Sequence, residues 1–258
     1  MVATARENAS NLYLVGIRDG RPEEAVAACT GSRYRQHSTG VRDGKEGFIE
    51  FFKPFIQRNP KRDIQIVRSL QDGDKVFIQA FQSLNDGEAK WVTMDFFDSD
   101  GAGKIIEHWD VIAGYSDTNP SGRSSVDGPT EIVDLDQTAA NRAIVNDFLQ
   151  TVLIGRDVEK MSDFINPVEY RQHNADVGDG LDSFKTLYAA EDCPLSYQEN
   201  FLTVAEGNFV ATLNRAQWNG QDLCQADLFR VEDGKIVEHW DNSEPCPPAA
   251  ELVNSGKF

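Results

Sequence analysis

No apolar run in this chain approaches the roughly 20 residues needed to cross a bilayer, and the opening MVATARENASNLYLVGIRDG lacks the apolar core of an export signal. Cysteine is scarce. Cys29, Cys193, Cys224 and Cys246 fall in no CxxC or Cys–His metal spacing, so free thiols in a cytoplasmic protein are expected. Positive charge is the other shortage: 25 lysines and arginines stand against 42 acidic residues, a formal charge of −17. Such a surface repels phosphate backbones and anionic lipid, which removes nucleic acid and membrane from the expected partners. The 40% hydrophobic content is too high for disorder. At 258 residues, a division into two domains is the natural expectation.

Histidine occurs four times, and each occurrence marks a repeat. Tyr34-Arg35-Gln36-His37 returns as Tyr170-Arg171-Gln172-His173, and Gly103-Lys104-Ile105-Ile106-Glu107-His108-Trp109-Asp110 returns as Gly234-Lys235-Ile236-Val237-Glu238-His239-Trp240-Asp241. The order is kept while the loops change length, so one architecture is written twice. The division that follows is a first domain over residues 1–115, a polar, turn-rich linker over 116–135, a second domain over 136–245 and a C-terminal tail over 246–258, with Pro245-Cys246-Pro247-Pro248 read as unstructured.

Within the first copy, residues 5–18 read as a helix and Pro22 opens a second. A third helix covers residues 45–57, with Phe48, Phe51, Phe52, Phe55 and Ile56 on one stripe, although Pro54 should kink or end it. Leu181, Phe184, Leu187 and Tyr188 repeat the stripe in shorter form. The period then falls to two over residues 63–70, 75–83, 90–97 and 104–112, separated by turn formers. Short turns imply an antiparallel sheet, and the helices ahead of it must cover one face. The expected fold is therefore α+β, duplicated in tandem: a cone-shaped, curved antiparallel sheet packed against three helices, a roll of the cystatin kind.

On the last strand His108 and Asp110 share a face, about 6.5–7 Å apart. Pairing Ser99 with Lys104 across the turn sets Asp95 opposite His108, and pairing Val231 with Lys235 sets Asp227 opposite His239. Opposed side chains lie about 5 Å apart on one face, so each copy gains an Asp–His–Asp cluster among apolar neighbours. An aspartate there has its pKa raised, and a histidine beside it can share the proton. That suffices for enolisation, aldol closure or double-bond migration. Asp110 and Asp241 are cast as bases, with His108, His239, Asp95 and Asp227 orienting or donating. A histidine facing an aspartate on a strand also serves as a purely structural pair.

His37, His173, Tyr34, Phe52, Phe97 and Phe184 are the expected ligand contacts, with loop anchoring the competing role for the two histidines and core filling the role of Trp109 and Trp240. The spacings match no short metal motif, so neither a metal nor a cofactor is expected.

Tyr-x-Gln-His followed by an Asp-Gly turn and an aromatic helix, then Asp227-Leu228-Phe229-Arg230 leading into Gly234 to Asp241, resembles the SnoaL-like polyketide cyclase family of the nuclear transport factor 2-like fold. Asp95-Phe96-Phe97 and Gly103 to Asp110 carry the resemblance in the first copy. It implies a deep pocket between sheet and helices, and a cofactor-independent aldol condensation with Asp110 or Asp241 as general acid–base. Cyclases of the group carry a histidine at the partner position across the sheet, where this chain has Asp95 and Asp227. Relatives also include isomerases, dehydratases, hydrolases and proteins that only bind. The implied ligand is a small hydrophobic compound, turned over by lyase or isomerase chemistry or simply bound. Because relatives pair through their sheets, an intrachain pseudo-dimer is implied, either as a monomer or as a homodimer of such chains. Asn242-Ser243 replaces Val111-Ile112 after the motif, which favours the first pocket as the catalytic one.

Overall fold

The computed structural model describes residues 3–190 and 192–258. The chain divides into two compact units: one runs to Gly114 and takes in Cys246–Phe258, and the other is Tyr115–Pro245. The tail therefore packs as part of the first unit.

In the first unit Thr4 caps α1 (Ala5–Asn11) with a capping box: its hydroxyl accepts the Glu7 N–H while the Glu7 carboxylate accepts its own. From Leu12 to Arg18 the helix widens into π-helical turns that bury Leu12, Tyr13 and Ile17. α2 (Pro22–Cys29) begins on its proline, where no backbone N–H is needed. α3 (Gly44–Arg58) continues through Pro54 instead of ending there; the residue whose carbonyl loses its helical partner, Glu50, is exposed. Asp43, just before α3, accepts the Gln36 N–H at 2.8 Å and ties this helix start to the preceding strand.

The sheet runs β1 (Thr30–Gln36), β5 (Ile105–Gly114), β4 (Ala89–Ser99), β3 (Lys75–Leu84), β2 (Arg62–Asp72). Strands β2 to β5 are antiparallel, as their short turns require. β1 is a strand the periodicity does not show, and it pairs parallel to β5, so the sheet is mixed. The cone-shaped roll is corrected as well: neither sheet is closed or strongly curled. Closure would require β1 to meet β2, and three strands lie between them.

Packing between sheet and helices joins Val76, Ile78, Phe97 and Ile105 to Leu12, Ala25 and Phe48, with Phe52 and Phe55 half-buried at the margin. Each large side chain fully buried in this way contributes about 1.5–3 kcal/mol.

The second unit repeats the plan. α4 (Thr138–Phe148) also widens into π-helical turns, over Leu149–Ile154. α5 (Met161–Phe164), β6 (Arg171–Gln172) and α6 (Leu181–Ala189) follow, then β7 (Leu195–Glu206), β8 (Phe209–Trp218), β9 (Gln221–Glu232) and β10 (Lys235–Pro245). Its strand order, β6-β10-β9-β8-β7, matches the first sheet position by position. All four cysteines are free, and no helix among the described residues is long and apolar enough to cross a membrane.

Candidate active site

The strands carrying the clusters pair two residues away from the expected register. Asp95 faces Asp110 and Phe97 faces His108; in the second unit Asp227 faces Asp241 and Phe229 faces His239. Bulges at Asp98–Ser99 and between Ile236 and Glu238 account for part of the slip. Because the slip is even, no side chain changes face. The histidine–aspartate contact persists as a diagonal, with His108 Nε2 2.9 Å from Asp95 Oδ1 and His239 Nε2 3.0 Å from Asp227 Oδ1.

Parallel pairing of β1 with β5 brings Gln36 beside His108. Gln36 Nε2 donates to the Tyr34 hydroxyl at 2.7 Å, which turns its Oε1 toward His108 Nδ1 at 2.9 Å. An acceptor at that place assigns a proton to Nδ1. Nε2 meets Asp95, which also accepts from the Tyr13 hydroxyl at 2.7 Å. Burial raises the Asp95 carboxyl above its usual value, against the hydrogen bond and charge of His108, and the nearby charge of Asp110 adds to the rise. Phe97 stacks on the imidazole at 4.5 Å. With both ring nitrogens engaged, His108 orients its neighbours.

Asp110 has a different set of partners. Ser38 Oγ donates to its Oδ2 at 2.5 Å. The Lys257 ammonium donates to Oδ1 at 3.0 Å and to the Asp110 main-chain carbonyl at 2.9 Å. Burial acts to raise this carboxyl, but Lys257, then His108 and Ser38, outweigh it and hold Asp110 below the ordinary carboxylate value. The expected upward shift is thus reversed, by a lysine from the tail.

A cavity of about 270 Å³ lies against this face. That is nearly twice the ~150 Å³ void that accepts benzene. Phe48, Phe51, Phe52 and Phe55 from α3 form one wall, Leu12, Tyr13 and Ile17 another, and Tyr34 and Phe97 contribute from the sheet. Gln36, Ser38, His108 and Asp110 supply its polar end, while Trp91 and Ile112, both partly exposed, lie where it meets solvent. Asp95 does not line the cavity; it is 0% exposed, behind His108.

The corresponding space in the second unit is about 40 Å³, narrowed by Phe184, Tyr188, Tyr197 and Phe229. Asp241 accepts from two amides, Asn174 Nδ2 at 2.7 and 2.9 Å and Gln225 Nε2 at 3.1 Å, and no lysine reaches it. Burial, with the charge of Asp227, raises its carboxyl despite His239 and the amides. Asp227 is saturated by Tyr197, Asn214, Gln225 and His239. Burial lowers the tendency of His239 to hold its proton, but the Asp227 hydrogen bond and both aspartate charges overcome this and raise its pKa.

His37 and His173 line neither cavity. His37 lies between the Gly256 carbonyl at 2.5 Å and Glu107 at 2.9 Å and stacks on Trp109 at 4.8 Å. His173 does the same with the Ser124 carbonyl, Glu238 and Trp240. Strand alternation puts these histidines on the face opposite Gln36 and Gln172, where they act as anchors. Tyr13, Ser38 and Lys257 are site residues that motif reasoning did not single out, and Gln36, though within the repeated motif, was given no role. A signal existed for Ser38, since it follows the repeated histidine just as Asn174 does, and both donate to the last-strand aspartate. For Lys257 there was none.

The ligating atoms of Asp95, His108 and Asp110 lie within 4.8 Å of one another, as do those of Asp227, His239 and Asp241, near enough for a metal ion. Ser38 and Lys257 donate to Asp110, and Asn174 and Gln225 donate to Asp241, while among the described residues the buried Asp95 Oδ2 accepts no hydrogen bond.

Fold and site together define a tandem α+β protein whose first unit carries an aromatic cavity ended by carboxylate and imidazole. Residues 13–108 match the family model of the SnoaL-like domain. That stretch lies within the first unit, which is thus similar to the SnoaL-like domain, and the second unit repeats its sheet architecture.

Similar solved structures include IdmH from Streptomyces antibioticus, 16% identical, covering 43% of this chain and 92% of that one with a TM-score of 0.37. An NTF2-like protein of unknown function from Cytophaga hutchinsonii is 17% identical over 45% and 95%, with a TM-score of 0.35. An LEH-like epoxide hydrolase from M. tuberculosis is 18% identical over 42% and 85%, with a TM-score of 0.36. No curated protein matches the chain.

Proposed function

We propose that the first unit performs cofactor-independent acid–base chemistry of the lyase or isomerase kind on a small hydrophobic carbonyl compound held in its cavity. The observation that supports this most is a carboxylate, Asp110, that accepts from the Lys257 ammonium and a hydroxyl at the end of a cavity walled mainly by aromatic and aliphatic side chains. Each Asp110 oxygen accepts one hydrogen bond from Ser38 or the Lys257 ammonium, which leaves lone pairs for a substrate proton.

In the proposed step the α C–H bond of the ligand breaks, its proton passes to Asp110, and the electron pair moves onto the carbonyl oxygen as an enolate. The Tyr34 hydroxyl accepts from Gln36, so its own O–H is available to meet that oxygen. Burial keeps the phenol's pKa well above its usual value, so it stays a neutral donor. A carboxylate of modest basicity suffices when the developing enolate is met by a donor in a dry site. Returning the proton at another carbon is an isomerisation; attack of the enolate on a second carbonyl is an aldol closure.

β-Tetralone, a bicyclic ketone, is a suitable probe. In D₂O the wild-type chain should exchange its α hydrogens, and Asp110→Asn should slow this by about 10²–10⁴-fold, the usual worth of a positioned base, with binding retained. Undiminished exchange in that variant would contradict the assignment.

One observation favours a second reading, a protein that binds without turnover: both Asp110 oxygens already carry donors. It predicts stoichiometric β-tetralone binding with exchange no faster than in buffer.

A further inference from the structure

We infer that the C-terminal tail completes the candidate site of the first unit, with Lys257 as a positioning residue that orients and charges Asp110, and Asn254 and Gly256 as the latch that delivers it. Lysine is almost never fully buried unless paired. Lys257 is only 4% exposed, and its ammonium spans the carboxylate and the main-chain carbonyl of the same aspartate. Two hydrogen bonds to one residue fix a direction, which a general surface attraction does not.

The latch is built in. Asn254 Nδ2 donates to the carbonyls of Ser38 at 2.8 Å and Val41 at 2.7 Å, and Asn254 Oδ1 accepts the Gly256 N–H at 2.9 Å. Gly256 holds φ +90°, a conformation that L side chains rarely adopt, and its carbonyl meets His37 Nδ1. The loop gripped by Asn254 carries Ser38, so one segment orders both donors to Asp110. His37, which lines neither of the two cavities beside the clusters, gains a role here as the strand-side anchor of the tail.

The second unit supplies a comparison. Asn119 Nδ2 donates to the His173 carbonyl at 2.6 Å, and the Ser124 carbonyl meets His173 Nδ1. The same kind of latch thus closes on the second repeated histidine. Its cation, Arg123, goes to Asp179, and among the described residues Asp241 accepts from the Asn174 and Gln225 amides.

The ionisable groups facing Asp110 are Lys257 from the tail, His108 from its own strand, Asp95 from β4, Tyr13 from the first helix and Tyr34 from β1. Lys257 is the one whose ammonium donates directly to the carboxylate, so its removal should have a single sign. This inference rests on Asp110 being the working carboxylate, but its test does not need turnover. In the full chain labelled with ¹³C at aspartate carboxyls, the Asp110 signal, assigned through Asp110→Asn, is titrated by NMR.

Lys257→Met should move the Asp110 midpoint upward by about 1–3 units, the effect of losing an adjacent opposite charge, while Lys257→Arg stays near wild type. A folded Lys257→Met chain that titrates as wild type would overturn the inference. Should Lys257→Met not fold, Asn254→Ala keeps the lysine and loosens the latch; an upward shift there supports the inference, and an unchanged midpoint overturns it. An upward shift together with no β-tetralone exchange by the wild type would remove the proposed activity and leave the latch standing.

Discussion

Asp110 is met by an ammonium and a hydroxyl, Asp241 by two amides, and their carboxyls are pushed in opposite directions. The pH consequences have definite signs. Asp110, held low, contributes stability that is present above about pH 3.9, the ordinary value, and is lost as pH falls through its depressed value. His239, held high, contributes stability that is complete below about pH 6.5 and is lost as pH rises through its raised value. Urea unfolding followed by NMR signals of the second unit should show stability declining as pH rises past that point. His239→Gln should flatten the decline, and a variant with the wild-type slope would show that the imidazole is not its source. The candidate aspartates and histidines of the last strands were legible because they repeat. Gln36 repeats too, but its contact with His108 did not show in the motif; Tyr13 and Lys257 lie outside the repeated motifs and act on partners supplied by distant stretches of chain.

At the level of elements, the site depends on α3 lying where its phenylalanines wall the cavity. Gly47 permits this. A Cβ there would sit 1.9 Å from the Arg42 carbonyl oxygen, a backbone atom that has no rotamer with which to yield. Gly47→Ala should therefore cost about 2–3 kcal/mol, measurable as a lower unfolding free energy; a loss within ±0.5 kcal/mol would be that of an ordinary surface site and would mean the helix shifts freely.

The four antiparallel strands and the aromatic stripe of α3 were readable from periods of two and 3.6. β1 was not, since its seven residues are buried in the pattern of an edge strand and its partner lies some 70 residues on. Register was misjudged because a bulge has no compositional mark. Only its parity mattered to the site, and the parity was right. The expected curl failed for a related reason: strand count and turn length do not encode how far a sheet bends.

Across the whole molecule, one scaffold is used twice with unequal results. The first unit keeps a cavity of about 270 Å³ and the second about 40 Å³, a volume fit for little more than a water. The first owes its cation to residues that follow the end of the second copy in sequence. Duplication thus supplied two equivalent scaffolds, and the difference between them lies in ring packing and in one tail lysine.

Asp110 is proposed as the working base of a single active unit. The most direct measurement compares α-deuteration of β-tetralone by the wild type, Asp110→Asn, Asp241→Asn and the double variant. Loss of about 10²–10⁴-fold in both variants lacking Asp110, with Asp241→Asn close to wild type, is the predicted pattern. Exchange that survives Asp110→Asn, or that disappears with Asp241→Asn alone, would contradict it.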